Sequence, residues 1–393
     1  MLYDAAHIEV LEGLASVRKR PGMWVGSTGE RGLHQLVLDV TGRAVNEVLA
    51  GGGGRVDVTL TSDGGVRVAD DAAGVRFEDT DDTEDTEASE DGAAPGLEAR
   101  LTTVRVGSGP AAGRYVAFLG HFDSGLFVAN ALSGRLTAEA RYGGVRHVQE
   151  YVRGVAPDPP AVAGPAAGSG TTVSFWPDTE IFETTRFSFA VLAERFRQVA
   201  FLNRGLEMSL TDERPAGGAR KVRFRFPQGV SDFVAALAAE TGTGVDPEVI
   251  AFEREIPPMA GTLEVALTWD GPAGERVRGF ANSLFTREGG THLDGFRDGV
   301  AGAVTDRARG RGLLTERDAG PGADRIGEGL TAIVSVKLDQ PEFLGAVRGL
   351  LGGAEVRACV EEAVREQLGG WFEEHPDRAA AIVDRIVRGP CAP

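Results

Sequence analysis

The chain has 393 residues, 42% of them apolar and 25% charged, and its 41 basic and 58 acidic side chains give a formal net charge of −17. This is a globular composition, and at about 150 residues per domain the length predicts two domains. No apolar run reaches the roughly 18 residues that span a bilayer, and the N-terminus lacks the pattern of a secretory signal, so we expect a cytoplasmic protein. The two cysteines, Cys359 and Cys391, form neither a metal-ligand spacing nor a disulfide framework.

An acidic loop spans residues 78–91 and contains nine carboxylates without a lysine or arginine among them. Such a run is typical of a solvated, disordered loop, although a specific interaction or regulatory segment has the same composition. In either case its charge opposes the approach of DNA to that surface. Only Lys19, Lys221 and Lys337 are lysines, so a phosphate-binding lysine has few candidates.

The first strong pattern predicts an amphipathic helix over residues 31–50, which a run of glycines follows. Its polar stripe carries Asp39, Arg43 and Asn46, which therefore project from one face. Beyond the glycines, apolar and polar residues alternate on both sides of SDGG, and this predicts a hairpin. The apolar stripe of the helix consists of Leu33, Val37, Val40, Ala44 and Val48.

After the acidic loop, the segment LGHFDSGLFVANALSGRL predicts a glycine-containing loop and then a short helix. The pattern predicts a second hairpin in RYGGVRHVQEYV, a strand in TTVSFWP and a helix over residues 186–203. Around residue 215, TDERPAGGAR predicts a linker or turn before a second module.

The second half begins with predicted strands in TLEVALTWD and RVRGFANSLF, followed by a helix from about Leu293 to Arg309 and a strand in LTAIVSVKL. Both halves are α+β and lack the regular βαβ alternation of a doubly wound sheet. A long C-terminal helical region places on one face Val356, Val360, Val364, Leu368 and Phe372.

The chain contains, in this order, the fragments YDAAHIEVLEGLASVRKRPGMWVGSTGERGLHQLV, VANALS, GTTVSFWPD, FLNRG, REGGTHLDGFR and GEGLTAIVSVKL. With this order and spacing it resembles DNA gyrase B and its type IIA topoisomerase relatives over essentially its whole length. The resemblance implies a GHKL (Bergerat-type) ATPase domain with an antiparallel-rich sheet and a helical layer, expected at residues 1–215. It also implies a ribosomal-S5-like transducer domain at residues 216–393, with the family's TOPRIM domain for DNA cleavage absent.

In the family, the helix at 31–50 supplies a glutamate as general base, an asparagine that holds magnesium and a nearby aspartate. The matching positions here are Asp39, Arg43 and Asn46. Asp39 is one methylene shorter than glutamate, which reduces its reach toward a hydrolytic water. A guanidinium has only donors, so Arg43 replaces the expected metal ligand and we expect no metal site. Alternatively, Asp39 and Arg43 simply form an i,i+4 ion pair on the helix surface.

The resemblance also assigns residues to the nucleotide-binding site. Asp70 matches the aspartate that receives the adenine amino group, Gly74 a glycine of the same loop, and Thr171 the threonine that supports this aspartate. Arg141 matches a position that contacts aminocoumarin antibiotics in the family. An isolated Asp-Asp after a strand is also common in ordinary turns.

The phosphate-binding lid keeps only Gly120 and Gly125 of the family's glycines and contains Asp123. A cradle of backbone donors needs glycines, and an aspartate repels phosphate, so we expect this lid not to enclose a triphosphate. In the transducer, Arg348 matches the lysine that reaches the γ-phosphate, although a solvated loop arginine is an equal interpretation. Tyr3 and Ile8 match the arm that crosses to the partner subunit in the family's dimer.

These substitutions lead to one main hypothesis: a gyrase-B-like pseudoenzyme with weak or absent ATP hydrolysis that acts by binding or dimerisation. ATP and magnesium are doubtful cofactors, and the expected partners are a second copy of the chain and a type IIA topoisomerase subunit, with DNA only indirectly involved. One alternative is a working ATP-hydrolysing component that cooperates with a separate DNA-cleaving chain. Another is a binder of aminocoumarin-type small molecules.

Overall fold

The structure is a computed structural model, and it describes residues 13–77, 96–103, 116–120, 125–240, 248–269, 274–345 and 347–388. The predicted dimer arm with Tyr3 and Ile8 lies outside the described residues, as do Asp123 and the acidic loop. Among the residues that are described, no helix is long and apolar enough to cross a bilayer.

Both halves contain helices together with sheets in which most neighbouring strands are antiparallel, which confirms the α+β class. The helices are α1 (Gly13–Lys19), α2 (Gly22–Val25), α3 (Glu30–Glu47), α4 (Leu97–Thr102), α5 (Gly125–Ala131), α6 (Phe189–Leu202), α7 (Val230–Ala239), α8 (Thr291–Gly310), α9 (Ala323–Gly327), α10 (Ala354–Glu374) and α11 (Pro376–Arg388). The strands are β1 (Arg55–Leu60), β2 (Val66–Asp70), β3 (Ser133–Tyr142), β4 (Val145–Val152), β5 (Ala161–Pro165), β6 (Gly170–Pro177), β7 (Glu207–Asp212), β8 (Arg220–Phe224), β9 (Ile250–Ile256), β10 (Gly261–Thr268), β11 (Arg276–Ala281), β12 (Leu284–Phe285), β13 (Gly289–Gly290), β14 (Thr331–Leu338), β15 (Phe343–Leu344) and β16 (Leu350–Leu351).

The first compact unit is built on an eight-stranded sheet with the order β5-β4-β3-β6-β2-β1-β7-β8. Only the β1–β7 pair in this sheet is parallel, so the expected antiparallel-rich sheet is confirmed. Helix α3 packs against β1, β2 and β6, and α5 packs against α3 and β3. This layer of helices on the sheet positions the polar stripe of α3 beside the end of β2.

The helix predicted at 31–50 is confirmed as α3, and a π-helical turn extends it over Val48–Gly52. Burial of its apolar stripe against the sheet explains why these residues form a helix here. All five residues of that stripe are buried, namely Leu33, Val37, Val40, Ala44 and Val48.

Both predicted hairpins are confirmed. In the first, Thr61 N donates to Gly65 O at 2.9 Å and closes the turn between β1 and β2. In the second, Gly143 and Gly144 form a two-residue turn between β3 and β4 with φ of +59° and +76°. Positive φ at both central residues is what a type I′ turn requires, and glycine adopts it without strain.

The segment around residue 215 is a hairpin turn inside the first unit, because β8 pairs with β7 in antiparallel register. The chain divides into one unit of Met1–Ala111, Phe122–Arg197 and Gly205–Arg225, and a second of Ala112–His121, Gln198–Arg204 and Phe226–Pro393. The main division therefore falls ten residues after the expected boundary at 215, since strand pairing keeps β8 with the first sheet. The sequence pattern showed the turn but not which sheet its strands join.

The second unit contains a five-stranded sheet with the order β12-β11-β14-β10-β9. Alternate residues of β10 point to opposite faces: Leu263, Val265 and Leu267 belong to the larger core with α8 and α10, whereas Ala266 packs in the smaller core with α7. The predicted C-terminal helical region is confirmed as α10 and α11. Its predicted apolar face is buried at all five positions, Val356, Val360, Val364, Leu368 and Phe372.

Candidate functional site

Asp70, the last residue of β2, is the centre of the candidate site, and its side chain is fully buried. Its Oδ1 accepts hydrogen bonds from Thr171 N at 3.1 Å and from Ala72 N at 3.2 Å. The hydroxyl of Thr171 accepts from Val75 N at 3.2 Å. Asp70 and Thr171 are therefore brought together as the resemblance implied, and they fix the loop after β2 to the start of β6.

Two glycines allow the close approach of backbones around Asp70. Gly74 has a φ of +85°, and a Cβ there would lie 2.2 Å from Arg141 O. Gly170 has a φ of +133°, and a Cβ there would lie 2.1 Å from Asp70 O. Neither position has room for a side chain, so Gly74 has a structural reason to be glycine without any ligand.

The second carboxylate oxygen of Asp70 is occupied by Arg43. Arg43 Nη2 donates to Asp70 Oδ2 at 2.7 Å, and the two side chains are only 8% and 0% exposed. The i,i+4 alternative with Asp39 is therefore wrong, since the guanidinium turns from the surface of α3 into the site and pairs with β2. The pair joins the position expected to hold magnesium to the position expected to hold adenine.

The remaining donors of Arg43 find no acceptor in the part of the chain that is described. Its Nε and Nη1 are shielded from solvent and make no hydrogen bond to any described residue. A buried donor without an acceptor costs about 1–3 kcal/mol, so the single strong bond to Asp70 offsets a substantial penalty. Among the described residues, the Arg43 guanidinium thus makes its hydrogen bond to Asp70 through Nη2, while Nε and Nη1 make none.

Asp39, the expected general base, lies one turn before Arg43 on α3. Gln35 Nε2 donates to Asp39 Oδ1 at 2.7 Å, and Gln35 is itself buried. Asn46 is half-buried one turn after Arg43. The neighbouring Glu47 accepts from Arg100 Nη1 at 2.6 Å, which links α3 to α4.

Arg141, on β3 beside β6, also lies at the site. Its Nη1 pairs with Glu139 Oε1 at 3.2 Å, and its Nη2 lies 3.5 Å from the main-chain oxygen of Asp70. Arg141 therefore contacts the backbone at Asp70 and not the carboxylate that Arg43 holds.

The two lid glycines are separated by residues 121–124, which lie outside the described residues. Gly125 begins α5 with a φ of +63°, and Gly120 ends the described segment 116–120. The Asp70 site belongs to the first unit, whereas segment 116–120 groups with the second.

Within the second unit, Arg348 stacks on an aromatic ring of segment 116–120. Its guanidinium carbon lies 4.3 Å from the centroid of Phe118, and Phe118 makes an edge contact with Phe343 at 6.2 Å. Phe118 N donates to Asn282 O at 2.7 Å, which fixes the same segment by its backbone. A ring therefore covers one face of the half-buried Arg348 guanidinium, and its match to the family's phosphate-contacting lysine stays a prediction.

The resemblance implies magnesium and ATP at these residues, and the chemistry of Arg43 and Asp70 bears on both. Arg43 offers only donors where a metal ligand is expected, and both oxygens of Asp70 already accept hydrogen bonds. In the part of the chain that the structure describes, no three His, Cys, Asp or Glu side chains are grouped so that they could hold a metal ion.

Sequence reasoning missed three features of the site: the Arg43–Asp70 pair, the Gln35–Asp39 hydrogen bond and the Arg348–Phe118 stack. A signal existed for the second, since Gln35 and Asp39 have i,i+4 spacing on a predicted helix. The other two pairs join residues far apart in the sequence, and no local pattern reports them.

Comparison with known proteins identifies the relatives of this chain. A sequence model of the DNA gyrase B family matches residues 229–389. The DNA gyrase B of Streptomyces coelicolor is 41% identical over 401 residues, which cover 98% of this chain and 57% of that protein. The novobiocin-resistant DNA gyrase B of Streptomyces niveus is 40% identical over 403 residues, covering 99% and 58%.

A solved structure extends this likeness to the fold. The 43K ATPase domain of Thermus thermophilus gyrase B, determined in complex with an aminocoumarin, matches with a TM-score of 0.76 and 31% identity over 96% of this chain and 94% of that domain. The chain spans somewhat under three fifths of the curated relatives it matches.

Proposed function

The chain belongs to the DNA gyrase B family, and we propose that in this member the ATPase-like region binds ATP weakly or not at all and acts by association. The first unit corresponds to the GHKL ATPase-like region and the second to the transducer. The family consists of ATP-binding proteins, so this member would differ from its relatives in having lost nucleotide binding.

The buried Arg43–Asp70 ion pair carries the proposal. The side chain expected to recognise adenine is satisfied from within the chain at 2.7 Å, so a nucleotide would have to displace a buried charge. Removing one partner of a buried ion pair costs about 3–5 kcal/mol, which is comparable to the free energy of millimolar binding. Adenine would thus have to compete with a preformed contact of similar strength.

Other positions support the same conclusion. Asp39 is short for a general base and is already an acceptor for Gln35 at 2.7 Å. Arg348 stacks on Phe118, so a ring within its own unit covers one face of its guanidinium. Each of these changes affects a different step of nucleotide chemistry, and together they favour a binding protein over a hydrolase.

The partners we propose are a second copy of the chain and a type IIA topoisomerase subunit. Relatives of this chain are DNA gyrase subunits, and such subunits work in assemblies. Action in such an assembly would place the protein in the cytoplasm. Homodimerisation through the arm with Tyr3 and Ile8 stays a prediction from the sequence.

The test is calorimetric titration of ATP, ADP and a non-hydrolysable ATP analogue, with and without magnesium, followed by phosphate release on the same samples. The natural chain should show no saturable binding at millimolar nucleotide. Arg43→Asn frees the Asp70 carboxylate and restores an amide at the metal position, so it should gain nucleotide affinity by at least tenfold. Arg100→Asn, which breaks the more exposed pair with Glu47, is the matched control and should gain none.

Tight, magnesium-dependent binding with turnover by the natural chain would contradict the proposal and favour the alternative, a working ATP-hydrolysing component. The same titration with an aminocoumarin addresses the other alternative. Because Arg43 also occupies the Asp70 carboxylate in that case, we expect weak aminocoumarin binding that Arg43→Asn strengthens.

A further inference from the structure

The eight-stranded sheet of the first unit has two different faces. Along β1, Val56, Val58 and Leu60 are fully buried beneath α3, whereas the alternating Arg55 and Asp57 point to the opposite side. We call the side that carries Arg55 and Asp57 the open face. The strands that form it all belong to the first unit.

On the open face, two cations of β3 and β4 share one carboxylate. Arg141 and Arg146 lie directly opposite each other in the antiparallel β3–β4 pair. Glu139 Oε1 accepts from Arg141 Nη1 at 3.2 Å, and Glu139 Oε2 accepts from Arg146 Nη1 at 3.3 Å. Like charges opposite each other on two strands repel, and a single carboxylate balances only one of them. This first cluster therefore has a net charge of +1.

A second cluster of two cations and one carboxylate lies on β1 and β8. Arg55 Nε is 2.9 Å from Asp57 Oδ2, and Lys221 Nζ is 3.9 Å from Asp57 Oδ1. The side chains of Arg55 and Lys221 are 51% and 48% exposed, but that of Asp57 is only 33% exposed. The cations are therefore outermost, and this second cluster also has a net charge of +1.

The strand register puts the two clusters on either side of a shallow basin. The cross-strand partner of Glu139 is Thr172. Ala69 lies opposite Thr172 on one side and Asp57 on the other. The two carboxylates are thus in one row, three strand spacings or about 14 Å apart, with two small side chains as the floor between them. A cavity of about 270 Å³ lies over this floor, and its lining includes Arg55, Asp57, Ala69, Arg141 and Ser169.

The basin is positively charged although the chain as a whole is acidic. Arg67, two residues before Ala69 on β2, is on the same face and exposed. Together with the two clusters it brings five cations and two carboxylates to the basin, a net charge of +3. Asp71 at the edge accepts from Gly54 N and Arg55 N through Oδ1, and its charge lowers the total only to +2. The basin therefore attracts anions in spite of the net charge of −17.

We propose that this basin binds an extended acidic segment of a partner protein, which runs across the strands. Side chains at positions i and i+4 of an extended chain lie on one face, about 13–14 Å apart, and this matches the separation of the two clusters. Carboxylates at these positions pair with the excess cation of each cluster, and one at i+2 lies over the floor near Arg67. Arginine clusters recognise acidic motifs in this way, through charge-assisted hydrogen bonds.

The charge distribution favours a short protein segment over a nucleic acid. A polynucleotide would extend beyond the basin onto the rest of the chain, whose charge is strongly negative. The Asp70 side chain is 0% exposed and pairs with Arg43 of α3, so only the main chain of Asp70 can border the basin. Binding of an acidic segment is therefore independent of nucleotide binding.

The test compares two capped heptapeptides of identical composition by fluorescence anisotropy with the full chain and without nucleotide. Thr-Glu-Thr-Glu-Thr-Glu-Thr has carboxylates at i, i+2 and i+4, whereas Glu-Glu-Glu-Thr-Thr-Thr-Thr has them in a block. At about 50 mM salt the alternating peptide should bind saturably below about 1 mM, and the block peptide at least fivefold more weakly.

Substitutions at exposed cations test the location. Arg146→Gln and Lys221→Gln each remove one cation from one cluster, and each should weaken binding of the alternating peptide at least threefold. The double variant should weaken it at least tenfold. Arg31→Gln is the matched control and should retain the natural affinity, because Arg31 is exposed on α3, on the other side of the sheet. Thermal melts report whether each variant folds.

Three results with the natural chain would overturn the proposal: no saturable binding, equal affinity for the two heptapeptides, or tighter binding of a single-stranded tetranucleotide of the same charge. Equal losses of affinity in Arg31→Gln and Arg146→Gln would overturn it as well, since the site would then not be on the open face.

Discussion

At the scale of single residues, Arg43 shows how one side chain changes the chemistry of a site. Arginine is always protonated and donates only, so it cannot replace an amide as a metal ligand. Its length lets it cross from α3 to β2 and neutralise Asp70. The same substitution thus removes one expected ligand and occupies another.

The Arg43–Asp70 pair should contribute to stability. Arg43→Met keeps the volume but leaves the buried Asp70 without its cation, and we expect a loss of about 3 kcal/mol in the free energy of unfolding of the first unit. Arg100→Met breaks the half-exposed pair with Glu47 and should cost under about 1 kcal/mol. Urea titrations of the two variants measure both losses, and equal losses would contradict the assigned burial of the Arg43 pair.

A second residue-scale prediction concerns His292, in the first turn of α8. Burial, and to a lesser extent the neighbouring charge of Arg297, lowers the pKa of His292 to about 3. The hydroxyl of Thr286 donates to Gly279 O at 2.9 Å and therefore accepts from His292 Nε2 at 3.2 Å. The other ring nitrogen, Nδ1, is buried and has no hydrogen-bond partner among the described residues.

Because the folded pKa lies below the ordinary value of about 6.5, the unfolded chain takes up the proton first. The contribution of His292 to stability is fully present above pH 6.5 and is lost as the pH falls toward 3, by up to about 1.4 kcal/mol per pH unit. Urea titrations between pH 7 and 4.5 should show a shallower pH dependence for His292→Gln than for the natural chain. His375→Gln, at an exposed position, should retain the natural slope, and an unchanged slope in His292→Gln would exclude this account.

At the scale of elements, the packing of α8 on α10 depends on glycines that allow backbone contact. A Cβ at Gly295 would lie 2.3 Å from Arg357 O, and one at Gly299 would lie 2.6 Å from Glu361 O. These glycines lie one turn apart on α8, so their helix face carries no side chains there. Close approach brings the apolar face of α10 into the larger core.

Two alanine substitutions on α8 should therefore have opposite effects. Gly299→Ala forces the helices apart and should cost about 1–3 kcal/mol of stability. Gly310→Ala, at the end of the same helix, meets nothing within 4 Å, so the better helix propensity of alanine should raise stability by at most about 1 kcal/mol. Urea titrations give both values, and a neutral Gly299→Ala would show that the helices are not in close contact at this point.

At the scale of the whole molecule, the chain has two properties that no single element shows: two separate apolar cores and a large negative net charge. Two compact units each bury their own apolar cluster, as expected for a chain of this length. The net charge of −17 applies to the entire chain, and nine of its carboxylates lie in the acidic loop.

This charge should keep the chain itself from binding duplex DNA. Phosphate contacts from lysine and arginine supply most of non-specific DNA affinity, so fluorescence anisotropy at about 150 mM salt should show no saturation below about 10 µM protein. Amide substitution of the nine carboxylates in the acidic loop should increase the affinity. Submicromolar binding by the natural chain would contradict this charge argument.

The sequence by itself determined several of the helices and strands and the family. The helix at 31–50, both hairpins and the buried face of α10 follow from local periodicity, because burial of one face selects residues at fixed spacing. The positions of Asp70, Gly74 and Thr171 followed from the family resemblance. Their hydrogen bonds and close contacts bring the three residues together, and their part in nucleotide binding stays a prediction.

Only the tertiary structure decided which partners the site residues contact. Arg43 and Asp70 are separated by 27 residues, and Arg348 and Phe118 by far more, so no spacing pattern reports either contact. The sequence likewise showed a turn near residue 215 but not that β8 pairs with β7. A long, flexible arginine side chain can reach several partners. Which partner it binds depends on the packing of elements distant in the sequence, because that packing decides which group lies buried beside the guanidinium.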